Sequence, residues 1–207
     1  AQVKEAEQEM KQKAAELTKS RQKAAEALGK LVTEELHGLA MPNSTLSVEL
    51  STAKYSKTGA DAAELQLNGK QLATAASGGE LSRVMLALEV VLASEDGATL
   101  VFDEVDAGVG GRAAVEIGRR LARLAAHNQV IVVTHLPQVA AYADAHLHVS
   151  KDKFTSGVAE LSEQERVEEL ARMLAGLDDT DTGRAHAQEL FDRAQKEASA
   201  RLTQLAD

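Results

Sequence analysis

Cysteine and tryptophan are absent from these 207 residues, and aromatic side chains make up only 2% of them. Without thiols there are no disulfides and no thiolate metal centres. With so few rings the core has to be aliphatic, built from Leu, Val, Ile and Ala, and a platform for stacking nucleic-acid bases is disfavoured. Basic charge is in deficit: 23 Lys and Arg against 32 Asp and Glu leave a net charge of −9. That argues against attraction of nucleic acid by the whole surface, while leaving room for a local basic patch. No apolar run approaches the ~20 residues that a membrane-spanning helix needs, and no basic-then-apolar leader opens the chain. The expectation is a cytoplasmic protein with no membrane contact. A phosphate-cradling G-x-x-x-x-G-K-[ST] loop is also absent. The chain opens on Ala1, not Met, inside a helical pattern, as an excised piece of a longer protein would.

What is present is ordinary for a globular chain, 44% hydrophobic and 27% charged, long enough for one or two domains with a buried core. Residues 1 to about 40 read as one helix with no proline. Val3, Met10, Leu17, Ala24 and Leu31 recur at seven-residue spacing, with Ala6, Ala14, Ala27 and Leu28 on or near the same stripe. Such a heptad seam winds one helix around another; the alternative is an amphipathic helix laid on a globular core. Dense charge on the other faces and the lack of an N-cap favour the coiled coil. Met41-Pro42 is expected to break the helix. Thr45–Leu50 and Ala63–Asn68 alternate as strands, and the polar stretch Tyr55–Asp61 between them is expected to be a mobile hairpin loop.

Ser77 opens a helix whose expected apolar stripe is Leu81, Val84, Met85, Leu88, Val91 and Leu92, ended by Glu95-Asp96-Gly97. Thr99–Phe102 is continuously apolar and Gln129–Thr134 reads as a second buried strand, as expected of strands covered on both faces. Arg112–Ala126 and a short segment, Leu136–Ala143, read as helices. His146–Ser150 and Gly157–Leu161 read as edge strands around a turn at Lys151–Ser156. Two helices, Glu163–Ala175 and Gly183–Ala206, close the chain. Alternating strands and helices mean an α/β architecture with a largely parallel sheet flanked by helices.

Asp103 and Glu104 end the first apolar strand. The carboxyl ends of strands are where open α/β sheets bind ligands. A first Asp there can hold Mg²⁺, directly or through water, and a second carboxylate can orient and deprotonate an attacking water. Ordinary surface acids are the plain alternative. Ser77-Gly78-Gly79 opens a helix whose free N–H groups and partial positive charge suit a phosphate, and two glycines let an anion approach the backbone. Ser77 followed three residues later by Glu80 also reads as a capping box, which sets a negative charge near that anion. His135 follows the second strand and can reach a terminal phosphate or simply cap the strand end. Asp106 lies in the glycine-rich loop Val105–Gly111, suited to a partner subunit's close approach or to turn chemistry alone. Arg112, Arg119, Arg120 and Arg123 share one helix and offer either a DNA contact or a solvated face.

The order Ser-Gly-Gly-Glu, Asp-Glu, Asp-x-Gly, Thr-His resembles that of an ABC-type ATPase head. Ser77–Arg83, Phe102–Gly108, Val133–Ala140 and Glu169–Leu174 resemble the C-terminal part of the RecN family, bacterial proteins of DNA double-strand-break repair related to the structural maintenance of chromosomes proteins. The likeness covers about residues 70–207, and the N-terminal helix fits that family's arm. The resemblance implies a coiled-coil arm segment over 1–40 and the C-terminal lobe of a P-loop ABC-type ATPase head over 41–207. The Walker A phosphate loop would then come from the N-terminal lobe of the same protein, and this piece alone would be inactive. The resemblance further implies ATP and Mg²⁺ as cofactors, with Asp103 associated with the metal and Glu104 as catalytic base. Ser77, Gly78 and Gly79 would contact ATP held by the second head of a homodimer. Asp106 would belong to the loop coupling the heads, and His135 would be the switch histidine. Head engagement would be coupled to DNA at double-strand break ends, in the bacterial cytoplasm on the nucleoid. Ala76 stands where the family usually has Leu. An ABC transporter ATPase subunit and a non-catalytic coiled-coil scaffold are the competing readings.

Overall fold

The structure, a computed structural model, describes residues 2–93, 97–151, 156–175 and 181–204. The expected helix end at Glu95-Asp96, the interior of the turn after Lys151 and the last residues of the closing helix lie outside them. The chain divides into two units, residues 1–91 and 92–207. Among the described residues, no helix is long and apolar enough to cross a membrane.

In the first unit, α1 (Gln2–Gly38) lies against an antiparallel hairpin of β1 (Leu46–Ser56) and β2 (Gly59–Leu67), to which the short β3 (Lys70–Gln71) adds. The packed face of α1 runs through Ala14, Gly29, Val32 and Leu36. Burying side chains such as Val32 and Leu36 contributes roughly 1.5–3 kcal/mol each. Gly29 permits the approach, since a Cβ there would stand 3.0 Å from the Leu46 carbonyl oxygen. One turn on, the Thr33 hydroxyl accepts from Leu46 N at 3.0 Å. Of the heptad positions, Val3, Met10 and Leu31 are 72%, 43% and 49% exposed, while Leu17, 37% exposed, lies against Gly59 at the hairpin tip. The helix stops before Pro42, because Ala40 turns left-handed (φ 60°) and Met41 N donates back to the Leu36 carbonyl at 3.1 Å.

The expected mobile loop over Tyr55–Asp61 is not found. The two strands run on to a turn at Lys57-Thr58, with a register irregularity between Thr52 and Ser56. Tyr55 and Ser56 are exposed strand positions, Lys57 and Thr58 form the exposed turn, and the tip is tied to α1. Asp61 accepts from Thr18 Oγ1 at 2.7 Å and from Arg21 Nη1 at 3.0 Å, while Arg21 Nη2 donates to the Thr58 carbonyl at 2.7 Å.

After α2 (Leu72–Ala75) comes α3 (Gly78–Leu92). Its buried side is Arg83, Val84, Leu86, Ala87, Leu88 and Val90. The expected stripe is therefore only partly right: Val84 and Leu88 are buried, whereas Leu81, Met85 and Leu92 are 38%, 42% and 61% exposed.

The second unit is built around β4 (Thr99–Phe102) and β5 (Gln129–Val132), which pair in parallel and are joined through α4 (Gly111–Ala125). Phe102 is buried, but Val101, Ile131 and Val133 are 67%, 47% and 60% exposed. The expectation of two covered faces fails among the described residues: these strands alternate, one face inward and one outward. Among the described residues they are the parallel pair; β6 (Leu147–Lys151) and β7 (Ser156–Glu160) form an antiparallel hairpin.

The helical layer consists of α4, the short α5 (Pro137–Ala140), α6 (Glu163–Ala175) and α7 (Asp181–Gln204). Small side chains let these helices close on one another around Phe191 and Leu170. Gly118 on α4 is the tightest point: a Cβ there would meet Tyr142 Cδ2 at 2.5 Å and the Gln138 carbonyl at 3.0 Å. Arg166 packs over the Phe191 ring, 4.8 Å from its centroid, and donates to the carbonyls of Ala143 and Asp144.

Candidate active site

β4 delivers Asp103 and Glu104 at its carboxyl end, and both are exposed. The chain turns there because Glu104 adopts φ 56°, a left-handed conformation that a non-glycine residue takes at a cost of roughly 1 kcal/mol or more. Asp103 Oδ1 accepts from Glu104 N at 2.9 Å and steadies the turn. Two backbone bonds carry the loop onward, Ala107 N to the Glu104 carbonyl and Val109 N to the Asp106 carbonyl, each 3.1 Å.

Asp106 points inward. It is 2% exposed, and its Oδ2 accepts from Thr134 Oγ1 and from His135 N at 3.3 Å. The His135 ring lies beside it, Nδ1 to Oδ2 3.5 Å, with 71% of the side chain exposed. Val133 N donates to the Phe102 carbonyl at 3.0 Å, continuing the parallel pairing one step beyond β5. The ends of the two strands are thus stitched together by backbone first and by the Asp106 carboxylate second. The structure brings Asp103, Glu104, Asp106 and His135 together on the carboxyl side of β4 and β5. Thr134 belongs with them and was missed as a site residue; the signal was a hydroxyl next to the histidine at a strand end.

Ser77, Gly78 and Gly79 belong to the other unit. The expected capping box is present: Ser77 N and Ser77 Oγ donate to Glu80 Oε2 at 2.9 and 2.8 Å, and Glu80 N donates back to Ser77 Oγ at 3.4 Å. The backbone bond from Ser77, then its hydroxyl, holds the Glu80 carboxyl below the usual carboxylate range. Gly78 and Ser77 are exposed and Gly79 is buried.

The arginines of α4 divide. Arg119 forks onto Glu197 of α7, Nε–Oε2 and Nη2–Oε1 both 2.8 Å, and reaches Glu116 at 2.5 Å. Arg120 pairs with Glu116 Oε2 at 2.7 Å. The Tyr142 hydroxyl donates to Glu197 at 2.6 Å. Burial, then the Glu197 carboxylate, pushes the Tyr142 phenol up to about 12, and the Arg119 fork is the main cause that brings Glu197 down to about 2. Of the four candidate DNA-contacting arginines, Arg119 therefore fastens α4 to α7, and Arg120 is held by Glu116 one turn back on its own helix. Two surface grooves, of about 550 Å³ along α1 and β1 and about 820 Å³ along α7, include none of the candidate catalytic residues.

No family profile matches the chain. It is 51% identical over 227 residues to the DNA repair protein RecN of Mycobacterium leprae (strain TN), across 95% of this chain and 39% of that protein. It is 53% identical over 202 residues to the DNA repair protein RecN of Streptomyces coelicolor, across 86% of this chain and 35% of that protein. The chain thus spans under two-fifths of the length of these curated relatives. Among solved structures, the Smc head domain with a coiled coil and joint from Pyrococcus yayanosii superposes with a TM-score of 0.52 at 22% identity, covering 70% of this chain and 28% of that one. That is a likeness of fold.

Proposed function

We propose, for a chain that resembles RecN along nearly its whole length and shares its fold with Smc head domains, that it forms the C-terminal lobe of an ATP-hydrolysing head. In this reading, residues 41–207 are the lobe and 1–40 the base of a coiled-coil arm, whose exposed heptad face would take the partner helix. The single observation that carries it is the strand-end cluster: Asp103 and Glu104 exposed beyond β4, with Asp106 binding the His135 segment beyond β5 to the same loop.

The residues fit a magnesium ion shared with nucleotide phosphates. Such an ion takes one or two protein carboxylates and leaves its other positions to phosphate and water. Asp103 supplies an exposed carboxylate, and no cluster of three His, Asp or Glu ligands is found among the described residues. Mg²⁺ and ATP would supply the transferable phosphoryl group and balance its charge. Glu104 would orient a water and accept its proton at a carboxylate oxygen. His135 would meet the terminal phosphate, and Ser77, Gly78 and Gly79 would present helix N–H groups to ATP on a second head. The N-terminal lobe of the same protein would bring the phosphate loop. Two such heads, engaging and separating, would act on DNA at double-strand break ends, in the cytoplasm on the nucleoid.

The test is ATP turnover by this chain alone and after joining to the N-terminal lobe of its own gene. The expected outcome is silence alone and Mg²⁺-dependent turnover when joined, with Glu104→Gln lowering kcat by roughly 10²-fold or more while nucleotide still binds. Silence in both would leave a scaffold with a structural carboxylate pair. Wild-type turnover in Glu104→Gln would remove the base from that residue.

A further inference from the structure

We propose that Asp106 and Thr134 are a positioning pair that fixes the His135 ring with Nδ1 turned inward and Nε2 presented outward. The proposal deepens, and rests on, the reading of His135 as the group that meets the terminal phosphate.

A carboxylate that is 2% exposed needs donors. Asp106 receives them from the segment that carries the histidine: the Thr134 hydroxyl and the His135 backbone N–H both reach Oδ2. The Thr134 hydroxyl is itself oriented, because its oxygen accepts from Leu136 N at 3.0 Å. A hydroxyl has one hydrogen, and with a lone pair committed to Leu136 that hydrogen is directed at Asp106. The backbone that carries the carboxylate is held too, by the bonds that close the turn at Ala107 and Val109.

The ring therefore faces a carboxylate held by two donors on its own neighbours, with Nδ1 3.5 Å from Oδ2. A carboxylate favours a hydrogen on the nitrogen that faces it. The neutral ring then carries its lone pair on Nε2, and the charged ring carries a donor there. With 71% of the side chain exposed, that nitrogen is the accessible one. Asp106, which the family resemblance assigns to coupling between heads, thus has its carboxylate engaged within its own chain and acts through the histidine.

The test reads the tautomer directly. Histidine-selective ¹⁵N labelling of the full chain, which has six histidines, gives separate Nδ1 and Nε2 signals once His135→Gln has assigned the ring. In the wild type, without nucleotide, the neutral ring is expected as the Nδ1–H form, and in Asp106→Ala it is expected to revert mainly to Nε2–H. If Asp106→Ala fails to fold by circular dichroism, Thr134→Val is read by the same criterion, with Thr134→Ser restoring the wild-type signal. In the joined two-lobe protein, Thr134→Val is expected to lower kcat about tenfold with KM little changed. An Nε2–H ring in the wild type, or a ring unmoved by the variant read, overturns the proposal. The tautomer needs no nucleotide, so it can fail while turnover survives, and turnover can be absent while the tautomer stands.

Discussion

Two helices of this protein begin with the same device. At α3, Ser77 and Glu80 exchange bonds of 2.9, 2.8 and 3.4 Å; at α6, Ser162 and Glu165 exchange the matching three at 2.8, 2.6 and 3.5 Å. Both carboxyls are held below their usual range, Glu80 chiefly by the Ser77 backbone N–H and Glu165 chiefly by the Ser162 hydroxyl. What differs is the pair of residues enclosed: Gly78-Gly79 at α3 and Glu163-Gln164 at α6. The α6 box closes without glycine, so capping does not explain the glycines at α3. Glycine inside a helix costs roughly 0.5–1 kcal/mol relative to alanine. The proposed contact of this helix start with ATP on a second head would account for the exposed Gly78. The comparison also constrains Ser77, whose hydroxyl hydrogen is already given to Glu80 and would have to leave it to reach a phosphate.

The largest effect that would sharpen this contrast comes from Gly78→Ala. In the joined two-lobe protein, ATP turnover is expected to fall about tenfold or more, while the thermal midpoint holds or rises; Glu163→Ala at α6 should change neither. Unchanged turnover with a lower midpoint would make the glycines structural after all. Next in size are the caps themselves. Ser77→Ala and Ser162→Ala should each cost about 1 kcal/mol in a urea titration, nearly equal to one another, with only Ser77→Ala also disturbing turnover.

Smallest is the pH dependence. Both glutamates titrate lower in the folded chain than in the unfolded one, so their contribution is fully present above the ordinary glutamate pKa and lost as pH falls through the folded value. The gap in thermal midpoint between wild type and either Glu80→Gln or Glu165→Gln should therefore close as the pH is lowered from neutrality into the acid range. A gap that widened instead would contradict both boxes.

The elements were legible in the sequence wherever a pattern is local. Ser77 with Glu80 located the start of α3, and the apolar run Thr99–Phe102 located β4. The strand-end acids and His135 could be placed together because parallel strands align their carboxyl ends. The remainder depended on partners distant in sequence. Nothing in Tyr55–Asp61 announces that Arg21 and Thr18 will hold the hairpin tip. Nor does the spacing of Arg112, Arg119, Arg120 and Arg123 show that Glu197 lies opposite Arg119. Asp106 was the hardest case: its place beside glycines reads as a loop exposed to a partner, and only the fold reveals a buried carboxylate. Periodicity also overreached for β4 and β5, since an apolar run records that both faces tolerate apolar residues, not that both are covered in this chain.

Gly118 has a consequence for how tolerant this fold is to change. It occupies no turn and needs no unusual backbone angle; it is a vacancy on α4 into which Tyr142 and the Gln138 carbonyl fit. Those two residues sit within and just after α5, the segment that begins immediately beyond His135 and Leu136. A single methyl group at 118 would act as a wedge under that segment and could be relieved only by moving it. The aim proposed for the histidine would therefore have a mechanical tolerance set from below, by the empty space at Gly118 on a neighbouring helix.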